Sequence, residues 1–216
     1  MKRLIIVCEG PTEQEFSQDV LAPALLKYDI QVEAPTIHHS NGGIVPWHTL
    51  KRQILSHLRE GDAKVTLLVD FYGIKDDFGF PSWEEAKAIV DKAERMHFLF
   101  AKMAEDIPDN VRYRFIPYIQ LHEFEGLLFS DVNAFLQSFD EEKIAFADIQ
   151  AAANAFDNPE LINNSPVTAP SKRLIAAIPN YSKVIYGNCI AMDIGIDKIR
   201  EKCPLFNEWV GKLESI

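Results

Sequence analysis

The segment Leu4-Ile5-Ile6-Val7-Cys8 is an unbroken run of apolar, mostly branched residues, stopped by Glu9-Gly10-Pro11. A strand with one wet face alternates apolar and polar residues. A continuous run of this length reads instead as a parallel strand covered on both faces. Covering both faces requires helices above and below, so this one feature points to an α/β sheet.

The following residues repeat the theme. The Thr12-x-x-Glu15 capping box predicts a helix with Phe16, Val20, Leu21, Ala24 and Leu25 on its apolar face. An extended segment over 31–38 leads into a turn at Asn41-Gly42-Gly43. Pro46 suits the first position of a helix running to Glu60, with Leu50, Ile54, Leu55 and Leu58 facing the core and Gly61 closing it. Val65–Val69 reads as a second buried strand, ended by Asp70 and a loop over Phe71–Pro81. Ser82-x-x-Glu85 predicts a long helix to Ala104, and 112–120 a further strand. Beyond Leu121 the pattern turns helical, near 127–139, 140–156, 171–178, 196–202 and 205–213. The expectation is a single α/β domain. Residues 1–125 form a parallel sheet with helices on both faces, and 126–216 form a helical portion packed on it.

Composition removes several classes. Of 216 residues, 47% are hydrophobic and 11% aromatic, enough to build a core and to exclude disorder as the main state. The apolar runs are strand-sized, far short of the roughly 20 residues that span a bilayer, so no membrane association is expected. The opening Met1-Lys2-Arg3 runs into a segment too short for a secretory signal. The three cysteines, Cys8, Cys189 and Cys203, are widely spaced with no CxxC pair, which argues against a disulfide scaffold or zinc ribbon. A cytoplasmic protein is expected. With 22 Lys+Arg against 32 Asp+Glu, the formal charge of −10 argues against a surface that grips nucleic acid throughout. It leaves room for a local basic groove or for an acidic metal site. P-loop, nucleophile-elbow and dinucleotide fingerprints are all missing from the sequence.

Open parallel sheets bind ligands beyond the carboxyl ends of their strands. Three segments deliver acids there: Glu9 after the first run, Asp70 after the Val65–Val69 run, and His122-Glu123-Phe124-Glu125 after the last strand. Carboxylates gathered from separate strands repel one another and are usually held by a cation. Hard oxygen donors suit Mg²⁺ or Mn²⁺, ions that serve phosphoryl transfer. The competing reading is that each acid caps a helix or meets solvent.

The run Ile6-Val7-Cys8-Glu9-Gly10-Pro11-Thr12-Glu13 resembles the opening of Toprim-like domains, where a Glu-Gly pair ends the first strand. The wider pattern resembles domain-of-unknown-function family 4276, placed near the Toprim fold. It is carried by Gly42-Gly43, Val69-Asp70-Phe71-Tyr72-Gly73, the run from Ile116 to Glu125, and Pro170-Ser171-Lys172-Arg173. The resemblance implies a Mg²⁺-dependent nuclease acting on DNA or RNA, with a partner ATPase and a role in defence against phage. It implies Glu9 as acid/base or metal ligand and Asp70 as metal ligand. Toprim domains carry an Asp-x-Asp pair at the second position, whereas this chain reads Asp70-Phe71-Tyr72. Glu123 and Glu125 complete the site, or Asp76 and Asp77 do, or metal binding is weakened; the last case implies a non-catalytic binding or regulatory module. Lys172 is the candidate cation for a substrate phosphate, with Arg173 beside it, and Lys75 is a second candidate. His122 either orders Glu123 or joins the site as a ligand, the competing reading being a core histidine bonded to backbone, while His38 and His39 read as structural. The sequence carries no indication of oligomeric state.

Overall fold

The structure, a computed structural model, describes every residue except 39, 41, 42, 164 and 166. The expected turn at Asn41-Gly42 and His39 lie outside the described residues. Four parallel strands form one sheet: β1 (Lys2–Cys8), β2 (Ile30–Glu33), β3 (Lys64–Leu68) and β4 (Phe115–Ile116), in the order β2-β1-β3-β4. The continuous apolar runs are the two central strands, and Leu4 to Cys8 and Val65 to Val69 are all buried. Register pairs Leu4 with Lys64 and Cys8 with Leu68, so β1 and β3 end side by side.

Helices surround the sheet, and the helical C-terminal portion packs onto it. Trp209 stacks on Tyr118 with centroids 4.3 Å apart and donates its indole N–H to Thr66 Oγ1 on β3 at 2.8 Å. Buried Glu160 accepts the backbone N–H groups of Leu205 and Phe206 at 2.9 and 3.0 Å, capping the helix Pro204–Glu214 that carries Trp209.

The structure corrects several expected boundaries. The first helix starts at Pro11 rather than at a Thr12 cap: Gly10 is the N-cap, and Glu13 reaches back to its N–H. Pro46 is an N-cap, with the helix spanning Trp47–Leu58. The long helix expected from Ser82 breaks into Trp83–Ala88 and Lys92–Glu105. Asp91 caps the second piece by accepting Glu94 N–H, and the Arg95 guanidinium satisfies the Ile89 carbonyl that the break exposes. The expected strand over 112–120 shrinks to two residues, because a helix occupies Asp109–Arg112 and Pro117 has no N–H for the ladder. Parallel pairing resumes at one bridge, Asp70 with Gln120. The segment expected to be helical from 127 begins as a tight 3₁₀ stretch over Phe124–Ser130. A further helix, Lys183–Ile194, lies where none was expected.

The Thr66 hydroxyl ties this arrangement together, since it also donates to the Ile116 carbonyl at 2.6 Å. Thr66→Val, which removes the acceptor for a buried indole N–H, is expected to cost about 1–3 kcal/mol in urea denaturation. A loss below about 0.5 kcal/mol would show that Trp209 does not depend on that bond.

Candidate functional site

Strand order reverses between β1 and β3: the chain leaves β1 for β2 on one side and returns to β3 on the other. That switch point is where open parallel sheets form a ligand crevice. Glu9 and Asp70 occupy it. Glu9 N–H donates to the Leu68 carbonyl at 3.0 Å, and Glu9 Oε2 accepts Asp70 N–H at 2.8 Å, so the first acid's side chain binds the second acid's backbone.

The Gln120 bridge brings in the third segment. Phe71 N–H donates to the Gln120 carbonyl and Tyr72 N–H to the His122 carbonyl, laying residues 120–123 beside 70–72. Asp70 Oδ1 then accepts Phe124 N–H at 2.9 Å. Glu123 Oε2 accepts Ser171 N–H at 3.0 Å, in the first turn of the helix Pro170–Ala177, where the helix dipole favours a carboxylate. Glu125, only 3% exposed, pairs with Lys183 at 2.8 Å. Gly73 allows the loop after β3 to approach this edge: a Cβ there would stand 3.0 Å from Ile44 Cγ2 and 3.7 Å from Glu9 Oε1.

Glu13 is a fifth acid that sequence reasoning passed over. It serves the N-cap through Gly10 N–H at 2.9 Å, yet it also faces the cluster. Burial pushes Asp70 well above the usual carboxylate range, and the charges of Glu9, Glu13, Glu125 and Glu123 push it further. Burial likewise raises Glu9 and Glu125, in both cases against the opposing charge of Lys183. Glu13 is pushed up to about 7 by burial and by the charges of Glu9 and Glu125. Burial alone would lower Lys183, but Glu125, Glu123 and Asp70 hold it above its ordinary value. Among the described residues, no three His, Cys, Asp or Glu side chains form a group able to hold a metal ion. The acids share one edge without converging on one point.

Other candidates lie elsewhere. Lys172 is exposed on the Pro170–Ala177 helix, and no ion pair joins it to the acids among the described residues. Asp76 is held by Trp83 Nε1 and Lys87 at 2.9 and 2.7 Å, away from the charges that act on Asp70. Lys75 lies over the Phe78 ring. His122 is buried with its backbone at φ 66°, and burial drives its pKa down to about 4, helped by Lys92 and Arg95; its environment is the Glu160 backbone rather than the acids. Lys51 pairs with Asp106, Arg112 with Asp109, while Arg114 and Arg173 bind backbone carbonyls, so these scattered cations are committed to structure.

The model of a domain of unknown function, DUF4276, matches residues 8–214. The chain belongs to the DUF4276 family. The match runs from the last residue of β1 to the last helix, so the acids, β2 to β4 and the helical portion fall within it. A search of curated proteins and one of solved structures each returned no match.

The raised acids fix a pH dependence. Glu13 and Glu160 titrate near 7 in the fold, against 4.5 when unperturbed. Between those values the folded state holds protons that the unfolded state has lost, so stability falls as pH rises. His122 opposes this between about 4 and 6.5, where raising the pH relieves the cost of keeping it neutral. Above pH 6.5 the His122 contribution fades and the acids dominate. Metal-free protein is therefore expected to lose thermal stability from pH 6.5 to 8. Asp70→Asn keeps the Phe124 bond while removing a charge, and should raise Tm at pH 8 by about 3 °C. A flat profile, or a lower Tm in the variant, would contradict the mutual repulsion.

Proposed function

We propose that this DUF4276 protein is a Mg²⁺- or Mn²⁺-dependent nuclease that hydrolyses phosphodiester bonds of DNA or RNA. One observation carries the reading: five carboxylates, Glu9, Glu13, Asp70, Glu123 and Glu125, share the edge at the switch point of a parallel sheet, and burial together with neighbouring acid charges raises the proton affinity of Glu9, Glu13, Asp70 and Glu125. Repulsion of this kind costs folding stability and persists where function requires the charge. Carboxylate oxygens are the donors a hard divalent cation takes, although the acids do not converge on one point among the described residues. Glu9, Asp70 and Glu123 are each pinned through one oxygen by a backbone N–H, which orients the carboxylate and leaves the other oxygen for a ligand. Glu9, Asp70, Glu123 and Glu125 would hold the ion. An ion bound there supplies a water of lowered pKa and neutralises charge on the phosphate.

The chain's own groups supply the rest. Glu9, with its raised proton affinity, suits proton transfer nearer neutral pH than an exposed carboxylate does. Lys183, paired with Glu125, and Lys172, exposed one residue after the Ser171 that binds Glu123, are cations that can meet a phosphate. The Glu9-Gly10 strand end, which resembles Toprim domains, supports the same chemistry, and through that resemblance a partner ATPase and a role in phage defence. A partner surface would also offset the chain's charge of −10, which weakens unaided binding to nucleic acid. A second reading, a non-catalytic binding or regulatory module, is favoured by the absence of a ready ligand group among the described residues.

Incubating the chain with plasmid, single-stranded DNA and RNA in Mg²⁺, Mn²⁺ or EDTA separates the two. The nuclease reading expects metal-dependent cleavage reduced at least about 10²-fold in both Glu9→Gln and Asp70→Asn. No cleavage by the wild type would leave the module reading in its place, and cleavage that survives both substitutions would remove this acid edge from the reaction.

A further inference from the structure

The helix Trp47–Leu58 buries Leu50, Ile54 and Leu58 in the core and lines a cavity of about 420 Å³ with Thr49, Arg52, Gln53, Ser56 and His57. Glu60, just past the helix, and His38, from the segment after β2, complete the lining; none of the five acids at the sheet edge belongs to it. Gln53 builds the wall. Its Oε1 accepts His38 N–H at 2.9 Å and its Nε2 donates to the Thr36 carbonyl at 3.1 Å, fastening that segment to the helix. His57 Nδ1 meets Glu60 Oε1 at 2.9 Å. An ionised carboxylate only accepts, so Nδ1 carries a proton and, in the neutral ring, Nε2 keeps its lone pair. That Nε2 is buried with no hydrogen-bond partner among the described residues, an unfavourable state for a polar atom. Glu60 itself is engaged twice, by His57 and by Arg3 at 3.9 Å. Arg52 is the opposite case. Its neighbour Lys51 is paired with Asp106, but Arg52 is exposed and joined to no acid or carbonyl among the described residues.

We propose that this cavity binds a small phosphate monoester, with Arg52 on the phosphate and a phosphate oxygen as the partner that His57 Nε2 lacks. The lining is rich in donors: a guanidinium, the Thr49 and Ser56 hydroxyls and an imidazole, against one carboxylate already engaged. In a chain of charge −10, such a set selects an anion. A phosphate suits it better than a carboxylate. The guanidinium fork takes two of its oxygens and leaves a third for the hydroxyls and the imidazole. The second proton of a monoester leaves at about pH 6, so it meets Nε2 either as O–H to the lone pair or as O⁻ to an N–H. The cavity is far larger than one phosphate and falls in the size range of small-molecule sites, so it holds an organic group as well. The His38 ring, edge-on to His57 with centroids 6.5 Å apart, is the flat surface available to that group. This assignment does not draw on the nuclease reading and stands or falls separately from it.

The test is calorimetric titration of the full chain with adenosine 5′-monophosphate, ribose 5-phosphate and inorganic phosphate, alongside NMR of the histidine ring nitrogens. At least one monoester is expected to bind with Kd below about 1 mM, and at least about threefold more tightly than inorganic phosphate. The same titration should shift the His57 ring-nitrogen resonances. Arg52→Gln, a change at an exposed position, should leave Tm within about 2 °C of wild type and weaken binding about tenfold. His57→Gln should weaken it about threefold or more. If His57→Gln does not fold, Arg52→Gln and the His57 resonances decide the matter. Binding of the nucleotide alone supports the site and assigns its remaining space to the base; binding of both monoesters assigns that space to the sugar. No binding of either monoester up to about 10 mM overturns the proposal. So does an affinity unchanged in Arg52→Gln, or a His57 ring that does not respond. Inorganic phosphate bound as tightly as the monoesters overturns the organic part of the assignment.

Discussion

Everything at the candidate site follows from how β1 and β3 lie against each other. Their parallel register ends with Cys8 opposite Leu68, and one further hydrogen bond, Glu9 N–H to the Leu68 carbonyl, carries the pairing past the last regular residue. Because Glu9 Oε2 then accepts Asp70 N–H, the two acids are fixed by main-chain geometry rather than by chance surface proximity. A one-residue slip of either strand would turn its acid to the other face and dissolve the arrangement. The buried apolar runs on both strands prevent such a slip, so the same residues that build the core also aim the site.

Placing the acids there is unfavourable, and the surroundings show how the cost is contained. Each carboxylate is given a specific donor: a backbone N–H for Glu9, Asp70, Glu123 and Glu13, and an ammonium for Glu125. Backbone N–H groups pull the pKa of Glu9 and Glu13 down, and the Lys183 ammonium that of Glu125, while burial and neighbouring charges push upward; for these three and for Asp70 the upward push wins. The fold therefore keeps a charge imbalance that a cation would relieve.

Much of this was legible in the sequence. Unbroken branched runs announce central parallel strands, and acids directly after them announce the edge they reach, which is why Glu9, Asp70, Glu123 and Glu125 were readable before any coordinates. Glu13 was hidden because Thr12 mimics a cap, whereas the extended Gly10 takes that role and Glu13 serves it. The helix Lys183–Ile194 was hidden by its own punctuation: Pro179-Asn180 precedes it and Gly187-Asn188 interrupt its pattern. Both interrupting residues are explained by tertiary contact. Gly187 is buried with Tyr181, Phe124 and Thr12 around it, and Asn188 donates to Asp19 Oδ2 at 2.6 Å. Ser182 before the helix and Gly195 (φ 77°) after it were the signals that could have found it, and Lys183 with it. The fate of Asp76 was not readable locally, since its partner Lys87 lies across a helix start.

The function proposed above puts a divalent cation between the ends of β1 and β3. Its most direct measurement is the anomalous scattering of a Mn²⁺-soaked crystal. The account predicts a single strong peak within coordination distance of the Glu9 and Asp70 carboxylates, with the Glu123 or Glu125 carboxylate turned toward it. An edge that stays empty at saturating Mn²⁺, or a peak confined to surface carboxylates elsewhere, would contradict it.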